Sequence, residues 1–241
     1  MATTTQKDRR FQVTAPNGQE DLLLLREMTV HESISGLFRI HLTCLSESAD
    51  IKFDDMIGGP LSVRMTLPDG GDAGERHFHG VVARFAQGPP VDRYVSYSAE
   101  VVPWLWFLTR ASDCRIFQHM TVPDIVKQVF DDLGMSDYEI SLKGKYPERE
   151  YAVQYRETHY NFVCRLLEES GIGFFHRHGA KAHTLVLFDD PSAHPATAWA
   201  KEASYAASED GERPAGEIVD WVVEQALPTG RYAITDYNMQ D

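Results

Sequence analysis

Two helix patterns joined to strand patterns, between Cys114 and Phe175, limit the possible fold of this chain more than any other feature. A helix with one buried face repeats apolar residues every three or four positions, whereas a half-buried strand alternates apolar and polar residues. A stretch that uses both periods has to pack helices against strands. The sequence therefore predicts an α+β unit in this part of the chain.

The first helix pattern has both of its ends marked. Thr121 and Asp124 are spaced like a capping box, in which side chains satisfy free N–H groups of the first turn. Gly134 ends the pattern, because glycine easily adopts the left-handed conformation that closes helices. The apolar residues between these ends recur at helical spacing and are Ile125, Val126, Val129, Phe130 and Leu133.

The second helix pattern starts at Thr158 and ends at Gly171, and Ile172 is placed for the hydrophobic contact that often follows a glycine cap. An alternating segment just before this helix predicts a strand. We expect the apolar stripe of the helix to pack against neighbouring strands. The stripe is Phe162, Val163, Leu166 and Leu167, and the alternating residues of the strand are Tyr151, Val153 and Tyr155.

The residues from Phe11 to Thr109 have the pattern of an all-β segment. Phe38, Ile40 and Leu42 alternate with polar residues, as in a barrel or sandwich wall with one wet face. Glycine and proline near residues 58–60 and 68–74 mark turns. Towards the end, residues 192–216 predict a long connection, and Glu217 to Glu224 and Tyr232 to Thr235 predict two strands joined by a turn at Pro228 to Gly230.

Composition excludes some classes of function. The 241-residue chain has a formal net charge of −13, and nucleic-acid binding depends on Lys and Arg, so we expect no nucleic-acid partner. The N-terminal segment lacks the apolar core of a secretory signal, and no apolar run is long enough for stable membrane insertion. The sequence therefore predicts a chain that is made and kept in the cytoplasm.

Two groups of histidines are the candidate metal ligands, His77 with His79, and His176 with His178 and His183. On a strand, His77 and His79 would point to one face, a spacing that zinc sites use. No carboxylate or thiol is placed near either group by sequence, and a zinc site needs further ligands and a second shell. We therefore interpret them as surface residues of an edge hairpin and expect no metal and no cofactor.

Other candidate residues also favour a structural interpretation, so we expect no catalytic residue. A catalytic carboxylate pair needs an environment that separates the two pKa values, whereas alternating Glu and Arg keep both carboxylates ionised. This charged cluster favours a structural or interface role, and it consists of Glu148, Arg149, Glu150, Arg156 and Glu157. Trp104, Trp106 and Phe107 favour core packing over a sugar-binding platform, and Cys164 favours a buried thiol over a nucleophile.

Long motifs of this chain closely resemble the VgrG family of type VI secretion spike proteins, which is related to hub proteins of contractile phage tails. The resemblance extends from Phe11 almost to the end of the chain. The motifs are HESISGLFRIHLTC, RHFHGVVARF and VVPWLWFLTRASDCRIFQ in the first half, TVPDIV, YPEREYAVQYRET and FVCRLLEESGI around the helices, and HTLVLFDDPSAH and LPTGRYAITDYNMQD near the end.

The resemblance implies a mainly β, α+β fold. A tail-tube-like antiparallel β-barrel is expected from residues 1–110 and 215–241, with an inserted α+β domain at 111–214 that carries the two amphipathic helices. The implied function is structural, as the N-terminal hub part of a spike on the hexameric Hcp tube, with effector or adaptor proteins and baseplate proteins as further partners. The resemblance also implies a homotrimer in the full-length protein, which the contractile apparatus expels from the cell.

Three other functions stay open at this point. A metal-dependent hydrolase would use His77 and His79, or His176, His178 and His183. A baseplate hub protein of a contractile phage tail is the second. A binding module, for example for an effector or a glycan, is the third.

The resemblance makes the assembly state of the chain a testable expectation. A stable interface buries about 1,200 to 2,000 Å² in total, and much of the family's trimer contact lies in a second barrel and a needle outside these residues. We expect the 241-residue chain alone to be mainly monomeric at micromolar concentration, and any residual association to strengthen with salt, because salt screens its negative charge. Sedimentation velocity at low and high salt tests both expectations, and a tight trimer at low salt would contradict the first.

Overall fold

The computed structural model describes residues 4–16, 18–67, 74–194, 205, 218, 220–233 and 235. The chain divides into two compact units, Met1–Trp199 and Ala200–Asp241. The strands and α-helices of the described residues lie in the first unit. In chain order they are β1 (Phe11–Thr14), β2 (Leu24–His31), β3 (Arg39–Ser46), β4 (Pro60–Thr66), β5 (Glu75–Val91), β6 (Tyr94–Val102), β7 (Ser112–Met120), α1 (Val122–Asp132), β8 (Tyr138–Ser141), β9 (Arg149–Thr158), α2 (His159–Glu169), β10 (Gly173–His178) and β11 (His183–Phe188), with short 3₁₀ helices at Phe53–Asp55, Trp104–Thr109 and Pro191–Ala193.

Strands β1 to β6 form one antiparallel sheet in the order β1-β4-β5-β6-β3-β2. The register between β5 and β6 shifts near Val82 and near Gln87, and such interruptions of a ladder bend a strand and help a sheet to curl. The edge strands β1 and β2 approach each other, but among the described residues no hydrogen-bonded pairing joins them. A cavity of about 320 Å³ lies there, lined by residues 9–11 and 25–28. The sheet is therefore a curled half-barrel, whereas the resemblance implies a closed barrel.

The concave side of the half-barrel holds its own apolar core. Phe38, Ile40 and Leu42 are buried, whereas Arg39 and His41 between them are exposed, which confirms the predicted alternation. Strand β3 pairs with β6 in the middle of the sheet, so that these side chains face the centre of the core.

The second half of this unit packs α1 and α2 against two smaller sheets. One is the antiparallel ribbon of β7 and β9, and the other has the order β10-β11-β8, with β8 parallel to β11. Both helices bury one face completely and share a single core with the strands and with the 3₁₀ helix Trp104–Thr109. The buried helical residues are Val122, Ile125, Val126, Val129 and Phe130 of α1 and His159, Phe162, Val163, Leu166 and Leu167 of α2.

The ends of both helices show why they form at these residues. The Thr121 hydroxyl oxygen accepts the N–H of Asp124 at 3.3 Å, and the Thr158 hydroxyl oxygen accepts the N–H of Asn161 at 3.1 Å. At the other end, the N–H two residues past each C-cap donates to a carbonyl of the last turn, as in a Schellman motif. The glycines that allow this, Gly134 and Gly171, have φ angles of +69° and +66°.

The β7–β9 ribbon has one buried and one exposed face. Phe117 and Gln154 lie on the buried face, which packs against the helical core. The predicted alternation of Tyr151 and Tyr155 is present, but these side chains are on the outer face, 64% and 65% exposed. An apolar face of the ribbon, which includes the 70% exposed Ile116, is therefore open to solvent.

The second unit has little regular structure among its described residues. Tyr205 and Ile218 form an isolated β-bridge, while residues 220–233 belong to no helix or strand and are exposed. Within the predicted strands Glu217 to Glu224 and Tyr232 to Thr235, Ile218 makes only this bridge, and residues 220–224, 232, 233 and 235 belong to no strand, so neither prediction is met by these described residues. In the part of the chain that the structure describes, no helix has the length and apolar character to cross a membrane.

Candidate functional site

Four of the five candidate histidines come together where the half-barrel meets the helical half. Nδ1 of His79, on β5, lies 2.9 Å from Nδ1 of His183 on β11. The backbone N–H of His79 donates to Nδ1 of His178 on β10 at 3.0 Å. His176 joins the group, with its ring centroid 6.1 Å from that of His183. His77 stays outside and lies 3.4 Å from a carboxylate oxygen of Glu75.

This arrangement corrects the interpretation of the histidines as surface residues. His79 is only 7% exposed and His183 only 3%. The hairpin of β10 and β11 lies against β5 and the Phe38 ring, whose centroid is 4.6 to 5.5 Å from those of three histidines. The contact joins residues about a hundred positions apart in the chain, so neither strand pattern alone reveals it.

The hydrogen bonds of the cluster determine which nitrogen carries each proton. The backbone N–H of Trp104 donates to Nε2 of His183 at 2.9 Å, so neutral His183 holds its proton on Nδ1. That proton is donated to Nδ1 of His79, and neutral His79 therefore carries its own proton on Nε2. Nε2 of His79 is buried and has no hydrogen-bond partner among the described residues.

Glu32 is a member of the site that the sequence did not reveal. Its carboxylate lies 2.9 Å from Nε2 of His178 and 3.4 Å from the Arg76 guanidinium. The hydrogen bond from His178 lowers the pKa of Glu32 below its usual value. Glu32 follows β2 and is 146 residues from His178, so no local sequence signal links the two residues.

Burial holds the inner histidines in their neutral form. Desolvation, together with the neighbouring imidazoles, lowers the pKa of His183 to about 3. The same cause lowers the pKa of His176 to about 3 and also lowers the pKa of His79. A neutral imidazole is the form that binds metal, but the free nitrogen of His183 already accepts a backbone N–H and that of His79 accepts His183. Among the described residues, no group of three or more His, Cys, Asp or Glu side chains is arranged to hold a metal ion.

The charged cluster near α2 is divided between ion pairs and solvent. Arg149 pairs with Glu169 of α2 at 2.8 Å, and Glu157 pairs with Arg165 of α2 at 2.6 Å. These contacts tie β9 to the helix. Glu148, Glu150 and Arg156 are exposed, and the Arg156 guanidinium lies 5.3 Å from the Tyr155 ring centroid.

Trp104 and Cys164 lie in or against the helical core, whereas Trp106 is half-buried and Phe107 is 38% exposed, which corrects the core prediction for Phe107. Trp104 is 6% exposed and contacts Phe130 edge to face, with ring centroids 5.2 Å apart. Its position fits core packing better than a sugar-binding platform. Burial raises the pKa of the Cys164 thiol to about 11, so this side chain is a thiol rather than a nucleophilic thiolate at neutral pH.

The burial of His79 changes the expected effect of removing the two candidate ligands on β5. Replacing His79 by alanine leaves the Nδ1 proton of His183 without a partner, so we expect a loss of about 1 to 3 kcal/mol in the free energy of unfolding. Replacing His77, which is outside the cluster, should cost less than about 0.5 kcal/mol. Urea denaturation measures both values. Mass spectrometry of protein purified without an affinity tag should find no stoichiometric zinc, and one zinc per chain lost with His79→Ala would contradict the structural role.

Comparison with known proteins identifies the fold family. A family model described as phage tail baseplate hub (GPD) matches residues 31–241. The type VI secretion system spike protein VgrG1c of Pseudomonas aeruginosa is 41% identical over 236 residues, which covers 98% of this chain and 32% of the relative. The chain thus spans about a third of the length of VgrG1c and of two further VgrG relatives from the same organism.

Solved structures agree with this result. The E. coli c3393 protein, described as a component of the type VI secretion system with structural similarity to T4 bacteriophage tail proteins gp27 and gp5, has a TM-score of 0.68 at 25% identity, over 82% of this chain and 52% of that chain. A chain of the Francisella PdpA-VgrG complex has a TM-score of 0.53 at 10% identity, over 76% of this chain and 32% of that chain, which supports the fold alone. The resemblance to VgrG spike proteins is thereby confirmed, and the chain belongs to the phage tail baseplate hub family.

Proposed function

We propose that this chain is a structural hub segment of a type VI secretion spike, with no catalytic activity of its own. The observation that carries the proposal is the 41% identity to a spike protein over 98% of the chain. In this proposal the full-length protein is a homotrimer that caps the hexameric Hcp tube, contacts the baseplate and carries an effector or adaptor protein. It is assembled in the cytoplasm and leaves the cell with the contracting machine.

The proposal includes the closure of the half-barrel by the end of the chain. In that arrangement residues 1–110 and 215–241 form one tail-tube-like barrel, and residues 111–214 are an inserted α+β domain. The outer edges of β1 and β2, which have no pairing strand among the described residues, support this idea, because free backbone groups at a sheet edge accept a further strand. Trp221 and Val223 also support it, since both are apolar and are 68% and 87% exposed.

Closure of the barrel can be tested in the full-length protein. Replacing Trp221 and Val223 together by alanine should lower the melting temperature, because closure would bury one or both side chains. Arg231→Ala, in the same exposed segment, is the control and should have little effect. An unchanged melting temperature for the double variant would contradict closure by this segment.

The structural function itself is tested with the full-length protein and Hcp tubes. We expect the protein to cosediment with preassembled tubes and to be seen at their ends by electron microscopy. Cells that lack residues 1–241 of this protein should no longer secrete Hcp, and restoring the residues should restore secretion. Normal Hcp secretion by the deletion strain, together with no tube binding, would contradict the proposal.

A hub in a contractile phage tail is the second candidate, because the matching family model is that of phage baseplate hubs. The two candidates differ in the tube protein that the hub contacts. The same cosedimentation with tubes of phage tail protein distinguishes them, since a spike hub should prefer Hcp tubes and a phage hub should prefer the phage tube.

A further inference from the structure

The two apolar cores of the first unit meet at a polar junction. On the half-barrel side are Glu32, Phe38 and His79, and on the side of the helical half are three further histidines. Backbone groups bond across the same junction, because the N–H of Ser35 donates to the carbonyl of Phe174 at 2.8 Å. We call the side-chain group at this junction the histidine latch, and its members are Glu32, His79, His176, His178 and His183.

Two bonds of the latch exist only while the imidazoles are neutral. Nε2 of His183 accepts the Trp104 N–H, so a proton on Nε2 would break this contact. Nδ1 of His79 accepts the proton of His183, so a proton on Nδ1 of His79 would break that contact. A second proton on either ring would also place an unpaired charge in a buried site, which is strongly unfavourable.

His178 differs from these two residues because it has a partner in either state. Its Nδ1 lies 3.0 Å from both the N–H and the carbonyl oxygen of His79. Neutral His178 accepts the N–H, whereas protonated His178 donates to the carbonyl oxygen. Its other nitrogen, Nε2, lies 2.9 Å from a carboxylate oxygen of Glu32. A charge on His178 then acts unfavourably on His79, His176 and His183.

We propose that the histidine latch is an acid-sensitive junction, which holds the half-barrel to the helical half at neutral pH and releases it when the latch becomes charged. The proposal goes beyond the structural function proposed above and does not depend on it. Other charged groups near the latch modify its response: Arg76 and His77 of β5, Asp137 before β8, and Lys181 in the turn between β10 and β11.

The direction of the response follows from proton linkage. Burial lowers the folded-state pKa of His176 and His183 to about 3, so below about pH 6.5 the opened state binds protons that the closed state excludes. Above that pH the closed state therefore keeps its full stability. Below that pH, each such histidine lowers the equilibrium constant for closing the junction about tenfold per pH unit. Glu32 acts in the same direction, because its lowered pKa means that stability is lost as acid protonates its carboxylate.

Hydrogen exchange tests the latch. The exchange of the 241-residue chain is measured at about pH 7 and about pH 5 and corrected for intrinsic rates. When the pH is lowered from about 7 to about 5, protection should fall in the peptides that cover residues 32–38 and 173–183. The factor by which it falls should be at least about tenfold larger than in peptides from α1 and β3. Parallel loss of protection in all of these segments would mean global acid unfolding and would overturn the proposal.

Matched variants test which groups respond. His176→Phe removes an imidazole whose Nε2 has no partner among the described residues. The acid response, which is the loss of protection between about pH 7 and about pH 5, should therefore be smaller by about tenfold or more. His79→Asn keeps an acceptor oxygen near the position of Nδ1 and should also weaken the response, even if His176→Phe folds poorly. His41→Asn, at an exposed position of β3, is the control and should respond like the unchanged chain. An unchanged acid response in both latch variants would overturn the proposal.

Discussion

Replacing Leu166 by alanine should lower the free energy of unfolding by about 2 to 5 kcal/mol, the usual range for a fully buried leucine. Leu166 lies on the inner face of α2 and has no exposed surface. Its neighbours in the core include Phe117 and Phe162, whose rings stack with centroids 5.4 Å apart. Such a tightly packed site cannot collapse fully around a smaller side chain, so a cavity remains. Urea denaturation followed by circular dichroism measures the loss.

The neighbouring residues of α2 provide the controls. Leu167, which is 2% exposed, should show a loss of similar size when it is replaced by alanine. Glu168 is exposed on the outer face of the same helix, and Glu168→Ala should change stability by less than about 0.5 kcal/mol. If both leucine variants behave like Glu168→Ala, then α2 does not pack in the way described.

The second large effect is expected at Phe38, where we predict that Phe38→Ala costs about 3 to 5 kcal/mol. This side chain is 1% exposed and belongs to the core of the half-barrel. Its ring also contacts His176, His178 and His183, so its loss would open a cavity next to polar groups that have few partners. The same denaturation experiment measures the effect.

Phe107 is the matched control for Phe38. It is 38% exposed and lies beside Trp106, with ring centroids 5.6 Å apart. Phe107→Ala should cost much less, because a partly exposed ring loses less contact and leaves no closed cavity. Equal losses for the two phenylalanines would show that Phe38 does not contribute to both halves of the structure.

Local patterns explain which elements could be predicted from the sequence. The helices lie at the expected residues because caps and glycines act within one turn, as the contacts of Thr121 and Thr158 show. The alternation from Phe38 to Leu42 also describes one strand with one buried face. Each of these signals is contained in about ten neighbouring residues, so the sequence displays it directly.

The histidine latch could be predicted only in part. The sequence placed His176, His178 and His183 in one predicted hairpin. Their burial and the partners Glu32 and His79 depend on how the hairpin packs on β5, which is decided by tertiary contacts across the chain. The exposure of Tyr151 and Tyr155 has a similar cause, because alternation identifies two faces of a strand but not which of them is covered.

Among the described residues no strand pairs with the outer edges of β1 and β2, and this affects the solubility of the chain until the proposed closure covers them. Unpaired strands invite other molecules to add to the sheet, which is a common origin of aggregation. Three features discourage such pairing. Strand β1 is only four residues long, β2 carries the charged residues Arg26 and Glu27, and the pairing register of β2 shifts at these residues. The net charge of −13 adds repulsion between molecules. A concentrated solution should therefore stay clear at low salt and lose clarity first when salt is added or when the pH approaches the isoelectric point near 5.2.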